Sequence, residues 1–191
     1  MDAETTALTA AEQGPPQPSG AVRVVRTVGA TTEEVWCAWT EGDLVRRWWG
    51  PTGFTSPRAD MDVRVGGTSV VTMQAPPEFG GTAIHNGWTY TAVHPPTRLE
   101  FTSTFTDQDG EVIDPADAGI PGPVPREVPH EVNMRDLGDG RTQVEVVESG
   151  YTDEQVRAMS QAGQEQCLDK LAALLDGQRG ERHDQSREAT S

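Results

Sequence analysis

The sequence predicts an α+β domain. A curved antiparallel sheet of about six to seven strands wraps around one long C-terminal helix, and two short helices follow the first strand. Three observations predict this. Residues 55 to 106 alternate apolar and polar side chains at period two, as half-buried strands do. Residues 153 to 177 instead repeat apolar side chains at steps of three or four, which makes one stripe along a helix. Between an opening strand and the period-two region lies a tryptophan-rich stretch with helical spacing.

The elements follow in order. AVRVVRTV, residues 21 to 28, is rich in Val and Thr and reads as a strand. Thr31 or Thr32 can cap the next helix, with Glu33 and Glu34 in its first turn and Val35, Trp36 and Trp39 on its apolar side. Asp43 can start a second short helix carrying Leu44, Trp48 and Trp49, which Gly50-Pro51 ends. Ala59, Met61, Val63 and Val65 alternate with charged residues, predicting a strand up to the Gly66-Gly67 turn. TSVVTMQ, residues 68 to 74, is the next strand, and APPEFGGT is a loop. Residues 86 to 105 predict a hairpin around His94-Pro95-Pro96-Thr97, which sets Trp88, Tyr90 and Ala92 opposite Ser103, Phe101 and Leu99. Residues 107 to 126 are a long Pro- and Gly-rich loop, of a kind that is usually functional or disordered. A last hairpin turns at Gly138-Asp139-Gly140. The long helix is capped by Thr152 or Asp153 and is expected to stop at Gly177, with Val156, Met159, Gly163, Cys167, Leu171 and Leu174 on its stripe.

Composition bounds the rest. The chain has 191 residues, enough for one domain plus tails. Residues 1 to 20 and 177 to 191 lack large apolar content and are expected to be disordered tails around a domain at 21 to 176. A net charge of -15 argues against nucleic acid and anionic membranes as partners, since phosphate binding needs a basic patch. Two cysteines, Cys37 and Cys167, make neither a disulfide framework nor zinc-ligand spacing and read as small buried thiols. The scattered histidines form no metal site, so neither metal nor cofactor is expected. His85 reads as a solvated loop residue or one at a cavity mouth, and His94 as exposed. No signal peptide and no membrane-length apolar run is evident, so the expected location is cytoplasmic. A homodimer is the ordinary candidate assembly.

Several strings together resemble a known family. They are EEVWCAWTEGDLVRRWWGPTGF at 33 to 54, DMDVRVGG at 60 to 67, NGWTYTAVHPPTRLEFTSTF at 86 to 105 and GQEQCLDKLAALL at 163 to 175. The chain resembles the START-like superfamily of birch-pollen-allergen fold, also called SRPBCC. Within it, the chain is similar to homologues of the activator of heat-shock-protein-90 ATPase, C-terminal domain type. The resemblance implies a helix-grip fold with a cavity between sheet and long helix. Members of the superfamily bind lipids, hormones, polyketides or aromatic compounds there, and some catalyse cyclisation or dehydration. The co-chaperone role generally involves a further N-terminal domain, which residues 1 to 20 are too short to supply. Two departures stand out: Gln164 occupies a position where a Trp is common, and the loop at 107 to 126 is long and proline-rich.

Alternation turns Trp88, Tyr90, Leu99, Phe101 and Phe105 inward. With Met61, Met73, Met159, Gly163 and Cys167, and with Trp48 and Trp49 at one end, they are the candidate ligand-lining residues, unless they simply fill a core. If Asp139 centres its turn, residues summing to 278 face each other, so Met134 meets Val144, Val132 meets Val146, and His130 meets Glu148. That pair is either a candidate general acid and base or a cross-strand contact at the wet end of the sheet. A carboxylate beside an imidazole is expected to raise the histidine pKa. The expected function is binding of a small hydrophobic, aromatic or polyketide-like molecule. Two rivals are a cyclase or hydratase using His130 and Glu148, and a stress-related or chaperone-associated interaction protein. No catalytic motif decides whether the chain is an enzyme.

Overall fold

The computed structural model describes residues 20 to 188 apart from Pro121, with side chains described as far as residue 180. The N-terminal tail expected at 1 to 20 lies outside the described residues except for Gly20. The chain runs β1 (Val22–Val28), α1 (Thr32–Thr40), α2 (Gly42–Trp48), β2 (Thr55–Asp60), β3 (Thr68–Gln74), β4 (Ala83–His94), β5 (Arg98–Thr106), β6 (Glu127–Gly138), β7 (Arg141–Glu148) and α3 (Glu154–Glu188). All neighbouring strands are antiparallel, in the order β1-β7-β6-β5-β4-β3-β2. The expected α+β architecture is therefore present, a single curved sheet gripping one long helix.

Local chemistry sets the helix starts. Thr31 is the N-cap of α1 and forms a capping box with Glu34, satisfying two otherwise orphaned amides. Asp153 accepts from the backbone N–H groups of Gln155 and Val156 at the start of α3. The helix does not stop at Gly177 but runs to Glu188. A glycine ends a helix when it turns left-handed, and Gly177 does not do so. Residues flanking it, such as Gln178 and Arg179, are good helix formers.

Two strand readings also change. β2 ends at Asp60, so Met61, Val63 and Val65 lie beyond it, and Val65 is 63% exposed. The turn at 64 to 67 closes early, with Gly67 N–H donating to the Arg64 carbonyl. In the β4–β5 hairpin, Trp88 meets Ser103 and Tyr90 meets Phe101 as expected. A register shift after Tyr90 then pairs Ala92 with Glu100, and Val93 with Leu99. The β6–β7 register matches the expected pairing: His130 faces Glu148, Val132 faces Val146 and Met134 faces Val144. Asp139 sits at the hairpin tip with φ 56.

The core has two parts. Trp39, Trp48, Trp49, Trp88 and Phe101 form a chain of ring contacts with centroids 4.6 to 6.3 Å apart. This aromatic wedge seals the end of the sheet beneath α1 and α2. The Trp48 indole donates to the Ala38 carbonyl at 2.9 Å, which fastens α2 to α1. The second part lies under α3, where Gln164, Cys167, Leu168, Leu171 and Leu175 are buried. Backbone approach between α3 and the sheet is close at β1, while the middle strands stand off from the helix. Gln161 on α3 accepts from the Arg23 backbone N–H at 3.3 Å and donates to its carbonyl at 3.2 Å.

Candidate functional site

The gap between the middle strands and α3 is a cavity of about 340 Å³. The sheet supplies Met73, Asn86, Ser103, Phe105, His130 and Glu148 to its wall. The helix supplies Val156, Ser160, Gly163, Gln164 and Cys167, on a face that repeats every three or four residues. Trp49 and Pro51 close the α2 end, and Ile120 and Val124 of the long loop form part of the wall. That loop is folded onto the domain. Thr106 bridges to Val112, the Ile113 N–H donates to the Phe105 carbonyl, and Arg126 pairs with Asp114.

Three polar groups of the wall, Tyr151, Ser160 and His130, gather around Glu148. Its side chain is 3% exposed, and Oε2 accepts from the Tyr151 hydroxyl at 2.7 Å and from Ser160 at 2.5 Å. The two hydroxyls are themselves 2.7 Å apart. This cluster links the end of β7 to α3, since Tyr151 precedes the helix and Ser160 lies on its second turn. Burial, followed by the neighbouring Glu148, pushes the Tyr151 phenol well above its ordinary range, so it stays a proton donor.

His130 stands on the neighbouring strand with Nδ1 3.8 Å from Glu148 Oε1, beyond hydrogen-bond reach. Its pKa is lowered, the reverse of the expectation from the adjacent carboxylate. Burial disfavours the imidazolium by more than Glu148 favours it. The site therefore presents a neutral imidazole beside a carboxyl group whose other oxygen is held by two hydroxyls.

The structure brings His130, Glu148, Trp49, Met73, Phe105, Met159, Gly163 and Cys167 together at the cavity wall. Met159 is 66% exposed and so stands at the rim. Trp48, Trp88, Tyr90 and Phe101 are not wall residues. They face inward, but at the end of the sheet that the tryptophan wedge fills. Tyr90 is instead bonded to Ser69 at 2.9 Å, with its pKa pushed up to about 12 by burial. Met61, expected at the wall, packs beside Gly42 on α2 because β2 ends before reaching it. Cys167 is a buried thiol whose pKa burial raises to about 12, which makes it a poor nucleophile. His85 bonds Thr72 on the adjacent strand at 2.7 Å, and His94 is exposed.

Sequence reasoning missed Tyr151, Ser160, Asn86 and the two loop residues. Ser160 had a legible signal, a polar residue four before Gln164 on an otherwise apolar stripe. Among the described residues no cluster of His, Cys, Asp and Glu is arranged to hold a metal, and no helix is long and apolar enough to cross a membrane.

Comparisons with known proteins agree with this architecture. The family described as Activator of Hsp90 ATPase homolog 1-like protein matches residues 29–176. No curated protein matches the chain. Among solved structures, the chain is similar to protein CV1439 from Chromobacterium violaceum, with 25% identity over 82% of this chain and 97% of that one, at a TM-score of 0.66. It is similar in fold to protein NE0264 from Nitrosomonas europaea, with 19% identity over 86% and 99% of the two chains and a TM-score of 0.66. The fold is also shared with DynU16, a protein in the dynemicin biosynthetic locus, at 23% identity over 83% of this chain and 48% of that one, with a TM-score of 0.60. The family match spans everything from the end of β1 to the part of α3 that packs on the sheet, and the chain therefore belongs to the Activator of Hsp90 ATPase homolog 1-like family.

Proposed function

We propose that this protein binds a small hydrophobic or aromatic molecule in the cavity between the middle strands and α3. The observation that carries this reading is the cavity itself. Its volume of about 340 Å³ falls within the range of small-molecule sites. Met73, Phe105, Val156 and Cys167 give it apolar walls, and its polar groups are few and gathered on particular faces. A filled core would have no such gap. The test is native mass spectrometry of the protein and of Gly163→Phe, whose ring would project from α3 into the space. The expected result is a small-molecule adduct on the parent protein that the variant lacks, with both giving the same far-ultraviolet circular dichroism. An adduct that survives the substitution unchanged would place the molecule elsewhere.

A second reading is catalytic. The proximity of His130 and Glu148 at one cavity wall favours it. A neutral imidazole can take a proton from a bound molecule, and the carboxyl group beside it can stabilise the imidazolium that results. Such a pair suits a cyclisation or dehydration of a carbonyl compound. Under this reading a bound ketone changes in absorbance or mass with time, and Glu148→Gln abolishes that change while leaving the ketone bound.

A further inference from the structure

Two polar atoms of the cavity wall face each other without meeting. His130 Nδ1 and Glu148 Oε1 are 3.8 Å apart, too far for a direct hydrogen bond. At Glu148 both hydroxyl bonds go to Oε2, so Oε1 can accept. The His130 ring has no hydrogen-bond partner among the described residues. Both side chains are more than nine-tenths buried, yet neither is sealed from the cavity that it lines. The wall atoms that lack both a partner and accessible surface are the Trp49 indole nitrogen and the Gln164 amide nitrogen. The His130 nitrogens and Glu148 Oε1 are not among them.

We infer that His130 and Glu148 form a subsite for the hydroxyl of an uncharged phenolic molecule, which donates to Glu148 Oε1 and accepts from His130 Nδ1. This deepens the proposed function and rests on it. A hydroxyl oxygen about 2.8 Å from each atom bridges the gap, at an ordinary length for both bonds. The neutral imidazole carries one N–H. Its place on Nδ1 keeps two lone pairs from facing each other, so the pair offers one donor and one acceptor. A ketone or ether oxygen only accepts and leaves Oε1 unmet. An ammonium only donates and points its charge at the Nδ1–H. A carboxylate adds a second acid beside Glu148, and among the described residues no Lys or Arg lines the cavity to offset it. Gln164 gives the wall a further acceptor, since its amide nitrogen is sealed and its oxygen is not. A phenol is a stronger donor to a carboxylate than an alkyl alcohol is, and its ring suits walls made by Met73, Phe105 and Val128.

The experiment uses four matched probes, 2-naphthol, 2-methoxynaphthalene, 2-methylnaphthalene and 2-naphthylmethylammonium, with affinity read by isothermal titration calorimetry. Proteins are the parent chain, His130→Phe and Glu148→Gln, with folding checked by circular dichroism. His130→Phe keeps a flat ring to stack on Phe101 and removes both nitrogens. Glu148→Gln keeps an acceptor for Tyr151 and Ser160 and removes the charge. The parent is expected to bind 2-naphthol about tenfold more tightly than the ether or the hydrocarbon. Each variant should lower 2-naphthol affinity about fivefold and leave 2-methylnaphthalene unchanged or tighter. Equal affinity of the parent for 2-naphthol and its methyl ether, or variants that weaken 2-naphthol and the hydrocarbon alike, would overturn the subsite while sparing the cavity reading. Tightest binding of the ammonium would overturn it too. Failure of the parent to bind any of the four would remove the proposed function along with it.

Discussion

The imidazole of His130 lies flat against the ring of Phe101, with centroids 4.7 Å apart and planes 11° from parallel. The two residues are also register partners across β5 and β6. One face of the imidazole is therefore held by an apolar ring, while Glu148 stands at its edge. This surrounding explains why burial outweighs the carboxylate and the ring stays neutral.

A pH dependence follows from that balance. In the unfolded chain His130 takes up a proton near its ordinary pKa of about 6.5. In the folded protein its pKa is lower, so between the two values the unfolded state binds more protons. The stability present above about pH 6.5 is then lost as pH falls toward the folded value, at up to about 1.4 kcal/mol per pH unit. His130→Gln removes this contribution. Urea unfolding between pH 7.5 and 5 should show the parent losing stability faster than the variant. Parallel curves would mean that His130 is protonated as readily in the fold as out of it. Glu148 and Tyr151 face the same space and are present in both proteins, so the difference isolates the imidazole.

Lys170 fixes the loop that carries Trp49 toward the cavity. Its ammonium donates to the Gly50 carbonyl at 2.9 Å and to the Phe54 carbonyl at 3.1 Å. Gly50 has φ 97, a left-handed conformation that suits glycine, one residue past the extended Trp49 cap that ends α2. Lys170→Met keeps most of the stem and removes both bonds. The expected cost is about 2 kcal/mol in urea unfolding, together with a red shift in tryptophan emission as Trp49 gains water. A loss below about 0.5 kcal/mol with unchanged emission would show that the loop holds its shape without the lysine.

Ile120 and Val124 make the long loop part of the cavity wall, so the loop should govern exit more than stability. Replacing both with Ser exchanges apolar wall for hydroxyls at half-buried positions. The neutral fluorescent probe N-phenyl-1-naphthylamine should then leave about tenfold faster in a stopped-flow displacement, with global stability changed by less than about 1 kcal/mol. An unaltered off-rate would mean that molecules enter and leave by another face.

Much of the fold was legible because periodicity reports which side chains are buried. The β6–β7 register could be read by centring the turn on Asp139, since Val132, Val144 and Val146 permit only one phase. The cavity was harder to read because facing inward does not distinguish a filled end from an empty one. Trp88 and Phe101 face inward just as Phe105 does, and only the arrival of Trp39 and Trp49 decides which of them borders open space. Tyr151 and the loop residues come from segments without periodicity, so nothing in their spacing announced them. The pKa direction of His130 depended on its burial, which the hairpin pattern alone did not specify.

The grip of Gln161 on the Arg23 backbone bears on how this molecule meets copies of itself. Among the described residues β1 is one border of the sheet, and an uncovered border invites another chain to add a strand. Here a side-chain amide occupies both the N–H and the C=O of Arg23, two of the groups an intruder would use. The opposite border, β2, is short, interrupted in register and carries Pro57, which has no N–H to offer. Each border thus carries a local feature that works against growth into an extended sheet, at Arg23 on one side and at Pro57 on the other.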